Sequence, residues 1–270
     1  TTIKALYGKA VHPGGLTIGV FGDVSKEAMS ALLKRQLDGW KAQKKSLQPA
    51  EATFAPKAKI HLVDKPDLDQ VNIYLGHAGI RRNRADYEAI SLLNYALGGG
   101  GFSSRLMKLI RSERGLTYGI RSGFSSGERA GPFMITSFTR VEKVRELIDL
   151  SLQVINEVIT EGISQTELND AKGYYLGSYP LSLETVEGEG AKLLQADRYQ
   201  LGDDFITAYP KRLEAVDLKT VNSLAKTLLK PNDLVIVLVG PKDQLVDKVK
   251  DLGAIQATWW EDDKPLPVSP

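Results

Sequence analysis

The chain contains no cysteine. That excludes disulfides, thiolate metal sites and cysteine nucleophiles, and it leaves the redox compartment undecided. Histidine is almost as scarce: His12, His61 and His77 are the full set in 270 residues. None has a second His or a Glu three or four positions on, the spacing that turns two ligands toward one ion from a helix. His61 and Asp64 lie three apart on a predicted strand and so face opposite sides. No metal site is expected in this chain. An excess of one charge is also missing, since 35 basic against 33 acidic residues leaves a net +2. There is no electrostatic case for nucleic acid or an anionic membrane. No apolar run reaches the roughly 18 residues that a spanning helix needs. The opening TTIKALYG has neither an initiator Met nor a basic-then-apolar leader. A processed or trimmed start is expected, with any targeting signal gone.

What is present is an ordinary globular composition, 42% apolar and 25% charged, long enough for one large domain or one and a fraction. It also contains a repeat. Residues 1–24 match residues 219–242 without a gap at an offset of 218. Thr2, Ile3, Leu6 and Pro13 meet Thr220, Val221, Leu224 and Pro231. Leu16, Ile18, Val20 and Gly22 meet Leu234, Ile236, Leu238 and Gly240. In both copies a short helix ends at a proline, which cannot continue it. An apolar strand follows, Leu16–Phe21 or Leu234–Val239, closed by glycine. An amphipathic helix comes next, Lys26–Leu37 or Gln244–Leu252. Residues 1–45 are therefore expected to end an earlier duplicated domain whose greater part lies outside this chain. Residues 46–57, polar and carrying Pro49 and Pro56, read as a linker. Residues 58–256 form the main domain, and 257–270 a C-terminal tail.

Within the main domain, Lys59–Val63 and Gln70–Gly76 have strand patterns; Gln70, Asn72 and Tyr74 alternate with Val71, Ile73 and Leu75. Helices are predicted at Asp86–Leu97 and Ser103–Glu113. Leu116–Ser125 and Pro132–Thr139 form an antiparallel pair around a Gly-Glu-Arg-Ala-Gly turn. Val144–Thr160 is a helix, Ser164 and Glu167 form a capping box opening the next, and Glu187–Gln200 and Leu218–Leu229 follow. Strands early and late with helices between them predict an α+β fold. Its mostly antiparallel sheet is covered on one face by a helical layer and preceded by a trailing α-β-α unit.

The richest stretch is Leu97–Tyr118, LGGGGFSSRLMKLIRSERGLTY. Gly98–Gly101 follow a helix rather than a strand and lack the G-K-[ST] ending of a phosphate loop. They read as a helix cap and flexible turn, and as bare backbone that lets another chain or a peptide approach. Gly123–Gly127 matches G-x-S-x-G, but a hairpin follows instead of a helix, and no His lies downstream. Arg111 and Tyr118 stand seven residues apart across a helix-to-strand turn. From composition alone Arg111 pairs with Glu113 or solvent, and Tyr118 packs on the sheet.

The order VDKPDLDQVNIYLGHAG, ADYEAISLLNYALGGG, FSSRLMKLIRSERGLTYGI resembles the C-terminal half of pitrilysin-type metallopeptidases. That group includes insulin-degrading enzyme and the mitochondrial processing peptidase with its relatives in respiratory complexes. The resemblance implies two halves of one processing-peptidase-like fold related by duplication, in keeping with the internal repeat. It implies a zinc cofactor held by H-x-x-E-H on the N-terminal half, outside this chain. It assigns Arg111 and Tyr118 to the backbone and carbonyl of a peptide substrate, and Gly99, Gly100, Gly101, Phe102 and Ser103 to the substrate-binding turn. The implied partner is the zinc-binding half, in the same or a companion chain. The implied function is the zinc-free half of a zinc endopeptidase, inactive alone; the alternative is a non-catalytic scaffold subunit. The resemblance tips the compartment toward a bacterial periplasm. Apolar surface left by an absent half is expected to drive homodimers at high concentration.

Overall fold

A computed structural model describes residues 2–40, 54, 56, 58–262 and 264–268. The order opens with α1 (Thr2–Ala10) and α2 (Lys26–Leu37). Strands β1 (Ile60–Asp64) and β2 (Gln70–Ala78) precede α3 (Tyr87–Asn94). The hairpin β3 (Ile120–Ser126) and β4 (Ala130–Arg140) leads to α4 (Val144–Thr160), α5 (Gln165–Ser178) and α6 (Val186–Tyr199). Then come α7 (Tyr209–Ala215), α8 (Leu218–Leu228), β5 (Val235–Gly240), α9 (Lys242–Val249), β6 (Ile255–Trp259) and β7 (Pro265–Leu266). Contacts divide the chain into two compact units, one within residues 1–51 and 176–209, the other within 52–175 and 210–270.

In the larger unit one sheet runs in the order β3-β4-β2-β5-β1-β6-β7. Neighbours are antiparallel except β1, which lies parallel to both β5 and β6. Burial alternates along each strand, as a pleated strand with one covered face requires. Val71, Ile73 and Leu75 of β2, Phe133 and Ile135 of β4, and Ile236 and Leu238 of β5 are buried. Helices α3, α4 and α8 pack together over this face. α4 sends Val144, Leu147, Ile148, Val154, Ile155 and Val158 inward at helical spacing. Burying each such side chain contributes about 1.5–3 kcal/mol, which holds the layers together. The other face stays open, with Asn72, Tyr74, Thr136 and Phe138 only partly covered or exposed. The expected α+β class, with its mostly antiparallel sheet under one helical layer, is what folds. The capping box also forms: the Glu167 N–H donates to Ser164 Oγ at 3.1 Å, and the Ser164 N–H to Glu167 Oε2 at 2.7 Å.

The repeat carries into three dimensions as far as its proline. The 3₁₀ turns Pro13–Gly15 and Pro231–Asp233 occupy matching positions after α1 and α8. Beyond them the copies part. β5 sits between β2 and β1, whereas Leu16–Phe21 has no strand pairing. The expected strand at 16–21, and with it the β element of the trailing α-β-α unit, is corrected accordingly. An apolar segment becomes a strand only where another backbone takes its N–H and C=O groups. Leu16, Ile18, Val20 and Phe21 are left 40–46% exposed.

Two parts of the domain division differ from the expectation. Residues 176–209 belong to the smaller unit rather than to a single 58–256 body. There the Phe21 ring lies so close to Gly190 that a Cβ on this glycine would sit 2.6 Å from it. Helical periodicity announces α6 but carries no information about which body receives it. The supposed tail 257–270 instead supplies β6, parallel to β1, and β7 beyond it. β7 is the edge strand, and an edge position tolerates its Pro265 because no ladder donor is needed on the outer side. The linker at 46–57 falls, apart from Phe54 and Pro56, outside the described residues.

Candidate functional site

Two π-helical segments flank the glycine run. Tyr95–Gly99 prolongs α3, and Met107–Glu113 makes up most of the following helix. A π turn is wider than an α turn by one residue and recurs where function demands an altered side-chain direction. The glycines between are explained by close approach and by one left-handed residue. A Cβ on Gly98 would lie 2.5 Å from Ser122 Oγ and 2.7 Å from a Leu106 methyl, so β3 passes directly over this backbone. Gly101 has φ +56°, where side chains are disfavoured. Asn94 fastens β3 to α3, donating from Nδ2 to Ser122 O at 3.1 Å and accepting from Ser122 Oγ at 2.8 Å.

A bidentate ion pair anchors the start of the second helix. Arg105 donates from Nε and Nη2 to the Glu167 carboxylate at 2.6 and 2.7 Å, and from Nη2 to Gly162 O at 2.9 Å. Burial pushes the Glu167 carboxyl up, but the Arg105 hydrogen bonds, the Ser164 donors and the Arg105 charge outweigh it and hold it at about 2.

At the other end of that helix, Gly115 (φ +61°) donates its N–H to Arg111 O at 3.0 Å and turns the chain toward the sheet. Arg111, in the last π turn, lies over the Phe102 ring with its guanidinium carbon 4.5 Å from the centroid. The next residues form no strand until Ile120, so the expected start at Leu116 is corrected. Side chains of β4 hold them instead. Thr139 Oγ1 donates to Leu116 O at 2.6 Å and Ser137 Oγ to Gly119 O at 3.0 Å. Thr117 Oγ1 accepts the Gly119 N–H at 3.1 Å. On this fixed backbone Tyr118 is 79% exposed, so it does not pack on the sheet.

Arg111 and Tyr118 line the same two depressions beside the open side of the sheet. Each is about 500 Å³, and Phe138 lines both as well. The first continues past Leu116 and Thr117 to Gln70 and Arg140. The second continues past Asn72 and Tyr74 to Arg121 and Thr136. A guanidinium and a phenol O–H beside a groove are two donors suited to one oxygen that gains negative charge. Of the remaining substrate-turn residues, Gly101 lines the second depression and Phe102 carries Arg111. Gly99, Gly100 and Ser103 line neither. Arg121, Arg140 and Phe138 were not singled out from the sequence. The alternation of β2 marks the open face, but the pairings Gln70–Arg140 and Arg121–Thr136 are tertiary. Ser125, the serine of G-x-S-x-G, sits at an irregularity of β3 beside the hairpin turn.

Among the described residues no group of three or more His, Asp or Glu gathers. His77 has both ring nitrogens engaged, Nδ1 with Ala78 O at 2.8 Å and Nε2 with the Lys230 N–H at 3.3 Å. No helix among them is long and apolar enough to cross a membrane.

Comparison with known proteins shows the family. The chain is 27% identical over 240 residues to an uncharacterized zinc protease, YmxG, of Bacillus subtilis, covering 86% of this chain and 56% of the relative. It is 28% identical over 244 residues to the non-peptidase homolog YmxG of Helicobacter pylori, covering 89% and 55%. It thus spans about half the length of the curated relatives it matches. A crystal structure of a peptidase M16 inactive domain from Pseudomonas fluorescens superposes with a TM-score of 0.71 at 35% identity, over 82% of this chain and 52% of that one. The family profile described as peptidase M16 inactive domain matches residues 1–175. With a pitrilysin-like sequence signature, a one-sided α+β sheet and a family model matched over residues 1–175, the chain belongs to the peptidase M16 inactive-domain family of zinc-protease-like proteins.

Proposed function

We propose that this chain is the zinc-free half of a zinc-dependent endopeptidase, gripping the peptide whose bond is cut at a site completed by a zinc-bearing N-terminal half. The observation that carries this reading is the common wall of the two depressions. Arg111 and Tyr118 both line it, and β4 side chains hold the backbone on either side of Tyr118. When a peptide carbonyl is attacked, its oxygen gains negative charge. The guanidinium donates to that oxygen with full charge, and the phenol supplies a second donor. Phe102 beneath Arg111 restricts the guanidinium before substrate arrives, which lowers the ordering cost of binding.

Arg111→Ala and Tyr118→Phe test this in the protein assembled with its zinc-bearing half. Each is expected to lower kcat by about 10²–10³-fold, the scale of losing one oxyanion donor. Thermal stability should hold, because Tyr118 is exposed and Arg111 has no ion pair among the described residues. Unchanged kcat in both variants would overturn the reading. So would hydrolysis by this purified chain alone that a chelator stops.

A second reading is a non-catalytic scaffold subunit. It is favoured by the Helicobacter pylori relative, whose name declares it a non-peptidase homolog. Under it both substitutions are silent, and the companion half lacks H-x-x-E-H.

A further inference from the structure

The open face is cationic beyond Arg111. Arg140 belongs to the first depression and Arg121 to the second, with Arg111 on the wall between. No carboxylate lines either one; Asp69 and Glu113, close in sequence to lining residues, contribute no wall. Four other arginines are matched to acids, Arg84 to Asp86, Arg105 to Glu167, Arg145 to Asp149 and Asp251, Arg212 to Glu88, while Arg35 and Arg114 are not among the described residues' ion pairs. The three on this face have no ion pair among the described residues. Arg111 rests on the Phe102 ring, and Arg121 Nε donates only to Thr136 Oγ1 at 3.3 Å. In a chain with a net charge of only +2, this concentrates unmatched positive charge on one face.

The sheet register sets the spacing. Arg121 lies opposite Thr136, and Gln70 opposite Arg140, so the two arginines mark rows four residues apart along β4. At about 3.4 Å per residue those rows are roughly 14 Å apart. Phe138, on the wall shared with Arg111 and Tyr118, occupies the row midway. An extended peptide lying along β4 has the same rise and presents alternate side chains to one face. Side chains about four residues apart in such a peptide reach both depressions, and the backbone between them passes Arg111 and Tyr118.

We propose that this face selects acidic peptides: extended segments with carboxylate side chains about four residues apart, one taken by Arg121 and the other by Arg140. The inference rests on the reading of Arg111 and Tyr118 as the backbone-gripping pair, and it adds the substrate class.

The test is fluorescence anisotropy of this 270-residue chain with two short labelled peptides. They differ only in carrying Glu or Gln at two positions four apart. The Glu peptide should bind more tightly at low salt, and the gap should narrow as salt rises. Arg121→Gln and Arg140→Gln should each cut the preference by about fivefold, the scale of an exposed charge pair, and together abolish it. Both arginines are exposed, so neither change threatens the fold. Equal binding of the two peptides, a preference that survives in the double variant, or no binding of either would overturn the proposal. Arg111→Ala separates the two readings. If it weakens both peptides alike while no acid preference exists, the gripping pair stands and the acidic selectivity falls. If it changes neither while the preference follows Arg121 and Arg140, the selectivity stands and the gripping pair falls.

Discussion

His77 is buried at 1% exposure, stacked on Phe133 with centroids 4.9 Å apart, and bonded through both nitrogens. Because Nε2 accepts the Lys230 N–H, the neutral Nδ1–H form is the one that fits. Burial pulls its pKa below the usual 6.5, and the Lys230 charge adds to this against the opposing Ala78 carbonyl and Asp233. With the folded value depressed, the unfolded chain takes up the proton first as pH falls. The contribution to stability is therefore complete above about 6.5 and lost progressively below it. Denaturant unfolding between pH 7.5 and 5, a range chosen to bracket about 6.5, is expected to show stability declining toward acid. That component of the slope should vanish in His77→Gln; an identical slope in the variant would show that His77 does not titrate on unfolding.

At the scale of elements, the site depends on how tightly the glycine run passes beneath β3. Gly98 is buried with Ser122 Oγ 2.5 Å from where a Cβ would stand, while Gly123 on the same strand as Ser122 has nothing within 4 Å. Gly98→Ala must push β3 or the Leu106 side chain aside and is expected to cost about 1–3 kcal/mol. Gly123→Ala is expected to be neutral or slightly stabilising, since alanine loses less backbone entropy than glycine. Chemical denaturation of the two variants side by side checks this. Equal losses would mean that the glycines matter for backbone freedom rather than for packing.

At the scale of the whole molecule, the two units differ in how much core they own. α2 buries none of its residues, and α6 buries only Gly190. The larger unit holds the sheet and its helical cover, including Phe133, Ile73, Leu75 and Ile135 at 0–1% exposure. Opening free energy follows buried apolar contact. Native-state hydrogen exchange on this chain is expected to release the amides of α1, α2 and α6 well before those of β2 and β4. Uniform protection across both units would show that they unfold as one.

Much was legible in the sequence because it is local. Strand alternation in Gln70–Gly76, the helical stripe of Val144–Thr160, the Ser164–Glu167 cap and the repeated proline turns are short-range patterns, and each forms as written. The absence of cysteine and the lack of ligand-spaced histidines were equally plain. Arg111 and Tyr118 were visible through their motif, but that they share a wall was not. That depends on β4 side chains pinning residues 116–119 from more than fifteen residues away in the chain. The π-helical turns, the pairing of the tail as β6 and β7, and the position of α6 within the smaller unit were likewise decided by packing. So was the convergence of Arg121 and Arg140 on one face. Periodicity states which side of an element is apolar; only tertiary contact determines which other element meets it, because that choice is made by burial and backbone pairing between residues distant in sequence.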